Sequence, residues 1–122
     1  MSVKTIESMI DWVETNLKDA PTLDKMSDHV GYSSFYCSAK FHEVVGVSFQ
    51  EYVLRRKLSL AAIELRESSH KIIDIAVKYG FSSNEAFSRA FHKTYGYAPS
   101  QFRKILPQLR LYDKSVIIST TP

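Results

Sequence analysis

The stretch Gly31-Tyr32-Ser33-Ser34 returns as Gly80-Phe81-Ser82-Ser83, and Phe41-His42 with Gly46-Val47 returns as Phe91-His92 with Gly96-Tyr97. The spacing between copies is 49 residues at the first match and 50 at the second. Each copy has room for two short helices around a glycine turn, so the chain reads as one supersecondary unit used twice. Its 122 residues can bury one ordinary core, or two small cores sharing a rigid connection, but not a large active site between separate domains.

Hydrophobic spacing predicts helices throughout. Ile6, Met9, Ile10, Val13 and Leu17 recur at three- and four-residue intervals between Val3 and Leu17, and Pro21 ends that pattern. Thr22 suits the N-cap of a helix over Leu23 to Val30, with Leu23, Met26 and Val30 inward and Gly31 as its stop. Ser33 and Ser34 are cap candidates for a third helix with Cys37, Phe41, Val44 and Val45 on one face, closed by Gly46. Ser48 and Glu51 form a capping box ahead of a linker helix through Arg66, about 28 Å long at ~1.5 Å per residue. Phe49, Tyr52, Val53, Leu60, Ala61 and Leu65 are its packing residues.

The second copy follows the same grammar. Ser69 is the expected cap for Lys71 to Tyr79, with Ile72, Ile75, Ala76 and Tyr79 inward and Gly80 as the stop. Ser82 and Glu85 suggest another capping box before a helix with Phe87, Phe91 and Tyr95 on its buried face. Pro99 suits the first turn of a short final helix containing Phe102 and Arg103. The expected fold is all-α, with two helix-turn-helix subdomains at residues 1–47 and 67–104, a linker helix at 48–66, and a tail at 105–122. Within the tail, Ser115 to Thr120 is β-branched enough for a strand. The tail reads equally as a frayed end or as the opening of a ligand-sensing domain.

In a helix-turn-helix the two helices cross closely, so the first needs a small residue near the crossing and a glycine in the turn. Ser27 precedes Gly31 by four residues, and Ala76 precedes Gly80 by four. The second helix of each pair can then lie in a major groove with its solvent face toward base edges. Removing the buried stripes leaves Phe35, Tyr36, Ser38 and Ala39 in the first copy and Asn84, Glu85, Ser88 and Arg89 in the second as base-contact candidates. Arg89 has a two-pronged donor suited to guanine, Asn84 the amide that pairs with adenine, and Phe35 an apolar face for a thymine methyl. Phe35 reads equally as an aromatic packed at a helix start, and Glu85 more commonly serves as a capping partner.

Ser34, Lys40, Arg55, Lys57, Ser83, His92 and Lys93 are candidates for phosphate contact, and Arg56 is either a further one or a structural ion-pair partner. Two recognition helices reading one face of B-DNA must lie about 34 Å apart, a separation that the linker helix can supply. Charge distribution points the same way: residues 1–30 hold three Lys against six Asp or Glu, whereas residues 91–122 hold five Lys or Arg against Asp113.

The run Ile72-Ile73-Asp74-Ile75-Ala76-Val77-Lys78-Tyr79-Gly80-Phe81-Ser82-Ser83, then Phe87-Ser88-Arg89-Ala90-Phe91, Gly96, Pro99 and Phe102-Arg103, resembles the AraC/XylS regulators, especially their small MarA-like members. The resemblance covers about residues 5–104 and is looser in the first copy. It implies seven helices, places Phe35, Ser38, Ala39, Asn84, Glu85, Ser88 and Arg89 at the family's base-contact positions, and implies RNA polymerase as a partner beside double-stranded DNA. Ala39 stands where MarA-like members carry arginine. Lys40 points about 100° away from that position on a helix, which suits a phosphate contact better than a replacement reader.

Other classes find less support. Cys37 is the only cysteine and the four histidines show no metal spacing, so no metal, cofactor or enzymatic chemistry is expected. A helical protein-interaction module is the alternative reading, since it needs the same apolar faces but no outward Arg89 or Asn84. No apolar run approaches 18 residues and Met1 to Glu7 is too polar for a signal peptide, so a cytoplasmic, monomeric protein without a membrane partner is expected.

Overall fold

The computed structural model describes residues 3–114; the strand expected at Ser115 to Thr120 lies outside them. Seven helices follow in order: α1 Val3–Asn16, α2 Leu23–Val30, α3 Ser34–Val45, α4 Phe49–Glu67, α5 Ile72–Lys78, α6 Asn84–Tyr95 and α7 Pro99–Ile105. There is no strand among the described residues. Contacts divide the chain into two compact units, with Leu54 and Arg55 on either side of a boundary that falls inside α4. The first unit takes in Lys114 as well, and the second ends at Asp113.

In the first unit, Ile6, Met9, Ile10 and Val13 of α1 are buried on one face, with Leu17 just beyond the helix end. Ala20 adopts a positive φ of 52° before Pro21, which turns the chain into α2. Thr22 caps α2 by accepting from the Lys25 backbone N–H at 3.2 Å. At the other end Gly31 takes φ 82°, a conformation that side chains resist, and its N–H reaches the Ser27 carbonyl at 2.8 Å. Ser27 is buried and satisfies its own hydroxyl by donating to the Leu23 carbonyl at 2.8 Å. Phe41 of α3 is fully buried and meets Phe49 and Tyr52 of α4 edge to face, with centroids 5.7 and 5.4 Å apart.

The second unit repeats this packing fifty residues later. Phe91 of α6 meets Phe102 of α7 edge to face at 5.3 Å, the counterpart of Phe41 on Tyr52. The first turns of α4 therefore close the first unit as α7 closes the second. Beyond Leu54, α4 supplies Leu58, Ala61, Ala62 and Leu65 to the second unit as buried residues, beside Ile75, Ala76, Tyr79, Phe87 and Phe91. Gly80 has φ 81°, and Phe81 N–H bonds back to the Ala76 carbonyl at 3.0 Å, which closes α5 in a Schellman-type turn.

Several local expectations need correction. Lys71, not Ser69, is the N-cap of α5, and it makes no side-chain capping bond. The anchor at this corner is Glu64 of α4, which accepts from Lys78 at 2.6 Å and from Tyr79 at 3.3 Å, with a His70 ring nitrogen also at 3.3 Å. The Lys78 and Tyr79 contacts hold α5 at its C-terminal end. Val44 is 43% exposed, so the α3 core is carried by Cys37 and Phe41. On α4, Leu58 and Ala62 are buried where Leu60 was expected, because the helix turns a different stripe to the second unit. Ile72, Tyr95, Leu23, Val30 and Val45 are half-buried rather than core residues.

Burial alone would raise the Glu64 carboxyl, but the hydrogen bonds from Lys78 and His70, the Lys78 charge and the Tyr79 hydroxyl together hold it below its ordinary value. A carboxylate that stays ionised more readily when folded adds stability above its unfolded pKa of about 4.3, and that stability is lost as pH falls through the folded value. Glu64→Gln should therefore lower the urea midpoint at pH 7, with the gap to the native chain shrinking as pH falls below about 4.3. At the helix crossing, Ala76→Leu should destabilise by about 1–3 kcal/mol through overpacking, whereas Val77→Ala, at a residue 64% exposed, should stay within about 0.5 kcal/mol by the same measurement.

Candidate nucleic-acid interface

Each second helix, α3 and α6, buries one aromatic face and leaves the opposite face in solvent. On α3, Cys37 and Phe41 point inward, while Phe35 is 86% exposed and Ser38 and Ala39 are also exposed. Tyr36 is half-buried, and its ring packs near Tyr32 with centroids 5.5 Å apart. Ser33 caps the helix, accepting from the Tyr36 N–H at 3.2 Å. Ser34 donates its hydroxyl hydrogen to Asp24 of α2 at 2.6 Å, which ties the start of α3 to the preceding helix. Lys40 pairs with Glu43 at 3.2 Å on the solvated surface.

On α6, Phe87 and Phe91 are inward and Asn84, Glu85 and Arg89 are exposed, with Ser88 half-buried beside them. The cap is Ser83 rather than Ser82: its side chain accepts from the Ala86 N–H at 3.0 Å, and its extended backbone, φ −158° and ψ 164°, is the conformation a cap requires. Sequence reasoning placed the box one residue early because both serines precede the helix. Glu85 then falls in the first turn with no capping bond to Ser82 required of it. His92 and Lys93 lie exposed in the last turn.

The linker cations differ among themselves. Arg56 is buried to 8% exposure and donates from Nη1 to the Tyr112 carbonyl at 2.6 Å, a structural role within the second unit. Arg55 is half-buried with its guanidinium 5.4 Å from the centroid of the Tyr112 ring. Lys57 stands beside the second glycine turn, where a Cβ built on Gly80 would lie 3.4 Å from its ammonium. Burial lowers the pKa of that ammonium.

Nothing in the described residues groups three or more His, Cys, Asp or Glu side chains for a metal ion. An open groove of about 470 Å³ lies along α1 and α2, lined by Lys4, Glu7, Asp11, Trp12 and His29 among others. Its charged lining is mixed, and the Asp11 carboxylate is paired with Lys114 at 2.6 Å. No helix among the described residues is long and apolar enough to cross a membrane.

Two glycine-turned helix pairs, each with a capped second helix presenting one face to solvent, define a paired helix-turn-helix protein, the class that sets a helix in the major groove. A helix-turn-helix domain family model matches residues 26–105. The chain is 36% identical over 98 residues to the HTH-type transcriptional activator AarP of Providencia stuartii, covering 80% of this chain and 73% of that protein. It is 34% identical over 99 residues to the multiple antibiotic resistance protein MarA of Escherichia coli, covering 81% and 78%. In structure it matches the DNA-binding domain of the global transcriptional factor AdpA, solved with a target DNA, at TM-score 0.77 and 17% identity over 82% of this chain and 90% of that one. The chain belongs to the AraC/XylS family of DNA-binding transcription regulators, among its MarA-like members.

The cap assignment is open to direct measurement. Ser83→Ala should cost about 1 kcal/mol of stability in urea unfolding, while Ser82→Ala, at an exposed residue, should change it by less than about 0.5 kcal/mol.

Proposed function

We propose that this chain activates transcription by laying α3 and α6 in successive major grooves of a specific duplex, with α4 spanning them. The observation that carries the reading is the outward face at the start of α6, where exposed Asn84, Glu85 and Arg89 surround Ser88 on a helix whose other face is held by Phe87 and Phe91. Asn84 and Arg89 carry the two side-chain types that pair bidentately with adenine and guanine. The face of α3 is less polar, with Phe35, Ser38 and Ala39 exposed and Tyr36 half-buried, and it suits apolar contact with thymine methyls and short polar contacts.

Phosphate contacts fall to Lys57 beside the Gly80 turn and to His92 and Lys93, with Ser83 at the helix start. Lys40 joins them by exchanging Glu43 for a phosphate, and Arg55 by leaving the Tyr112 ring, while Ser34 offers its hydroxyl at the start of α3. The chain works in the cytoplasm as a monomer, without enzymatic chemistry. RNA polymerase is its protein partner, a reading supported by kinship with AarP, a named transcriptional activator.

Phe35 at 86% exposure would also serve a protein-interaction module, and salt dependence separates the two readings. Selection from random duplex DNA should yield one site with two conserved blocks about one helical turn apart, bound less tightly as salt rises. Selected DNA with no shared sequence, or binding indifferent to salt, would overturn the proposal. On the selected site Arg89→Ala should lower affinity by about 1–3 kcal/mol and relax preference at one base pair; an equal loss on every sequence would reassign Arg89 to phosphate.

A further inference from the structure

The segment after α7 has no regular secondary structure, yet it is held. Leu106 ends α7 with φ 50°, its N–H bonded to the Phe102 carbonyl at 2.8 Å. Thereafter Pro107, Leu109 and Leu111 are half-buried, whereas Gln108 and Arg110 are exposed. That alternation is the signature of an extended segment lying along a surface. Within the second unit it is fastened at Tyr112, whose backbone is used on both sides: its carbonyl accepts from Arg56 at 2.6 Å, and its N–H donates to the Ser59 hydroxyl oxygen at 2.6 Å. The Tyr112 ring lies under the Arg55 guanidinium.

Ser59 is 1% exposed, and its hydroxyl also pairs with the Tyr95 hydroxyl at 3.1 Å. Tyr95 is the last residue of α6, stacked edge to face on Phe91 at 4.9 Å. Burial raises the Tyr95 pKa, so at neutral pH the phenol keeps its proton and stays a hydrogen-bonding group. A continuous path thus runs from the Tyr112 backbone through one buried hydroxyl to the C-terminal end of α6.

We propose that residues 106–113 form a strap on α4 and that Tyr112, acting through Ser59 and Tyr95, is a positioning residue for recognition helix α6. The inference rests on the reading of α6 as a base reader. A helix behaves as a rigid rod over three turns, so its angle is set at both ends. Phe87 and Phe91 hold the middle against the core, and the Ser59 to Tyr95 bond holds the far end. Loss of that bond lets the rod tilt about Phe91 and displaces Asn84, Glu85 and Arg89 relative to base edges. Bidentate base contacts tolerate such displacement poorly, whereas phosphate contacts through flexible cations tolerate it well.

The test uses the whole chain and the selected duplex, with single base-pair changes placed in each half of the site. Discrimination is the ratio of affinities for the unchanged and the changed duplex. Ser59→Ala, Tyr95→Phe and Tyr112→Pro, which removes the backbone N–H that Ser59 accepts, should each reduce discrimination in the half read by α6 by about threefold to tenfold, the range of one intramolecular hydrogen bond. Discrimination in the α3 half should not move. The double variant Ser59→Ala/Tyr95→Phe should lose no more than the worse single one, as expected for groups acting as one chain. Variants that melt at lower temperature but keep full discrimination would overturn the proposal and leave the strap a purely structural element. A uniform loss over all duplexes would overturn it too. A native chain that discriminates in the α3 half alone would instead refute α6 as a base reader, and the strap's role with it.

Discussion

The outward faces of α3 and α6 depend on what holds their inward faces, and in both units that is a fully buried phenylalanine. Phe41 sits edge to face on Tyr52, and Phe91 sits the same way on Phe102, at centroid distances of 5.4 and 5.3 Å. An aromatic ring excludes more water per residue than any aliphatic side chain, and the edge-to-face arrangement adds about 0.5–1.5 kcal/mol of directional preference. Each ring therefore sets the rotation of its helix about the long axis. Rotation decides which residues reach solvent, and so which side chains are offered to a partner.

Around these anchors the two units divide the work of α4 between them. Its first turns carry Phe49 and Tyr52 into the first unit, in the role that α7 plays with Pro99 and Phe102 in the second. Its later turns carry Leu58, Ala61, Ala62 and Leu65 into the second unit, with Glu64 clamping Lys78 and Tyr79 of α5. Polar side chains of this helix are tied into the fold as firmly as its apolar ones. Arg56 and Ser59 are buried and both bond to the Tyr112 backbone, so the segment after α7 belongs to the second unit's fabric.

Much of this was legible because the informative signals are local. Ser27 and Ala76 four residues before a glycine, the caps at Thr22 and Ser33, and the aromatic stripes at 41 and at 87 and 91 all follow from spacing along one helix. The misreadings arose where a choice depended on something distant. Ser82 and Ser83 are equivalent by composition, and only the extended backbone at Ser83 assigns the cap. Ser69 looked like a cap for α5, but the helix begins at Ile72 with Lys71 at the cap position, and its tertiary tie to Glu64 comes at the other end. Leu60 and Leu58 are both apolar, and the stripe that α4 turns inward is decided by its partners. The outward residues Phe35, Ser38, Ala39, Asn84, Glu85 and Arg89 emerge on solvent-facing surfaces as subtraction of the buried stripes implied.

The sequence alone determined the number of helices, where most begin and end, the duplication, and the family, since each of these is written in residue spacing and in chemistry between near neighbours. Tertiary structure decided which partner each polar group meets. Whether Arg56 meets solvent or a carbonyl, whether Ser59 is idle or a junction, and whether residues 106–113 fray or lie down all turn on partners 36 to 56 residues away in the chain. Hydrogen bonds between such partners leave no periodic trace, because a single short contact constrains two positions without patterning the residues between them.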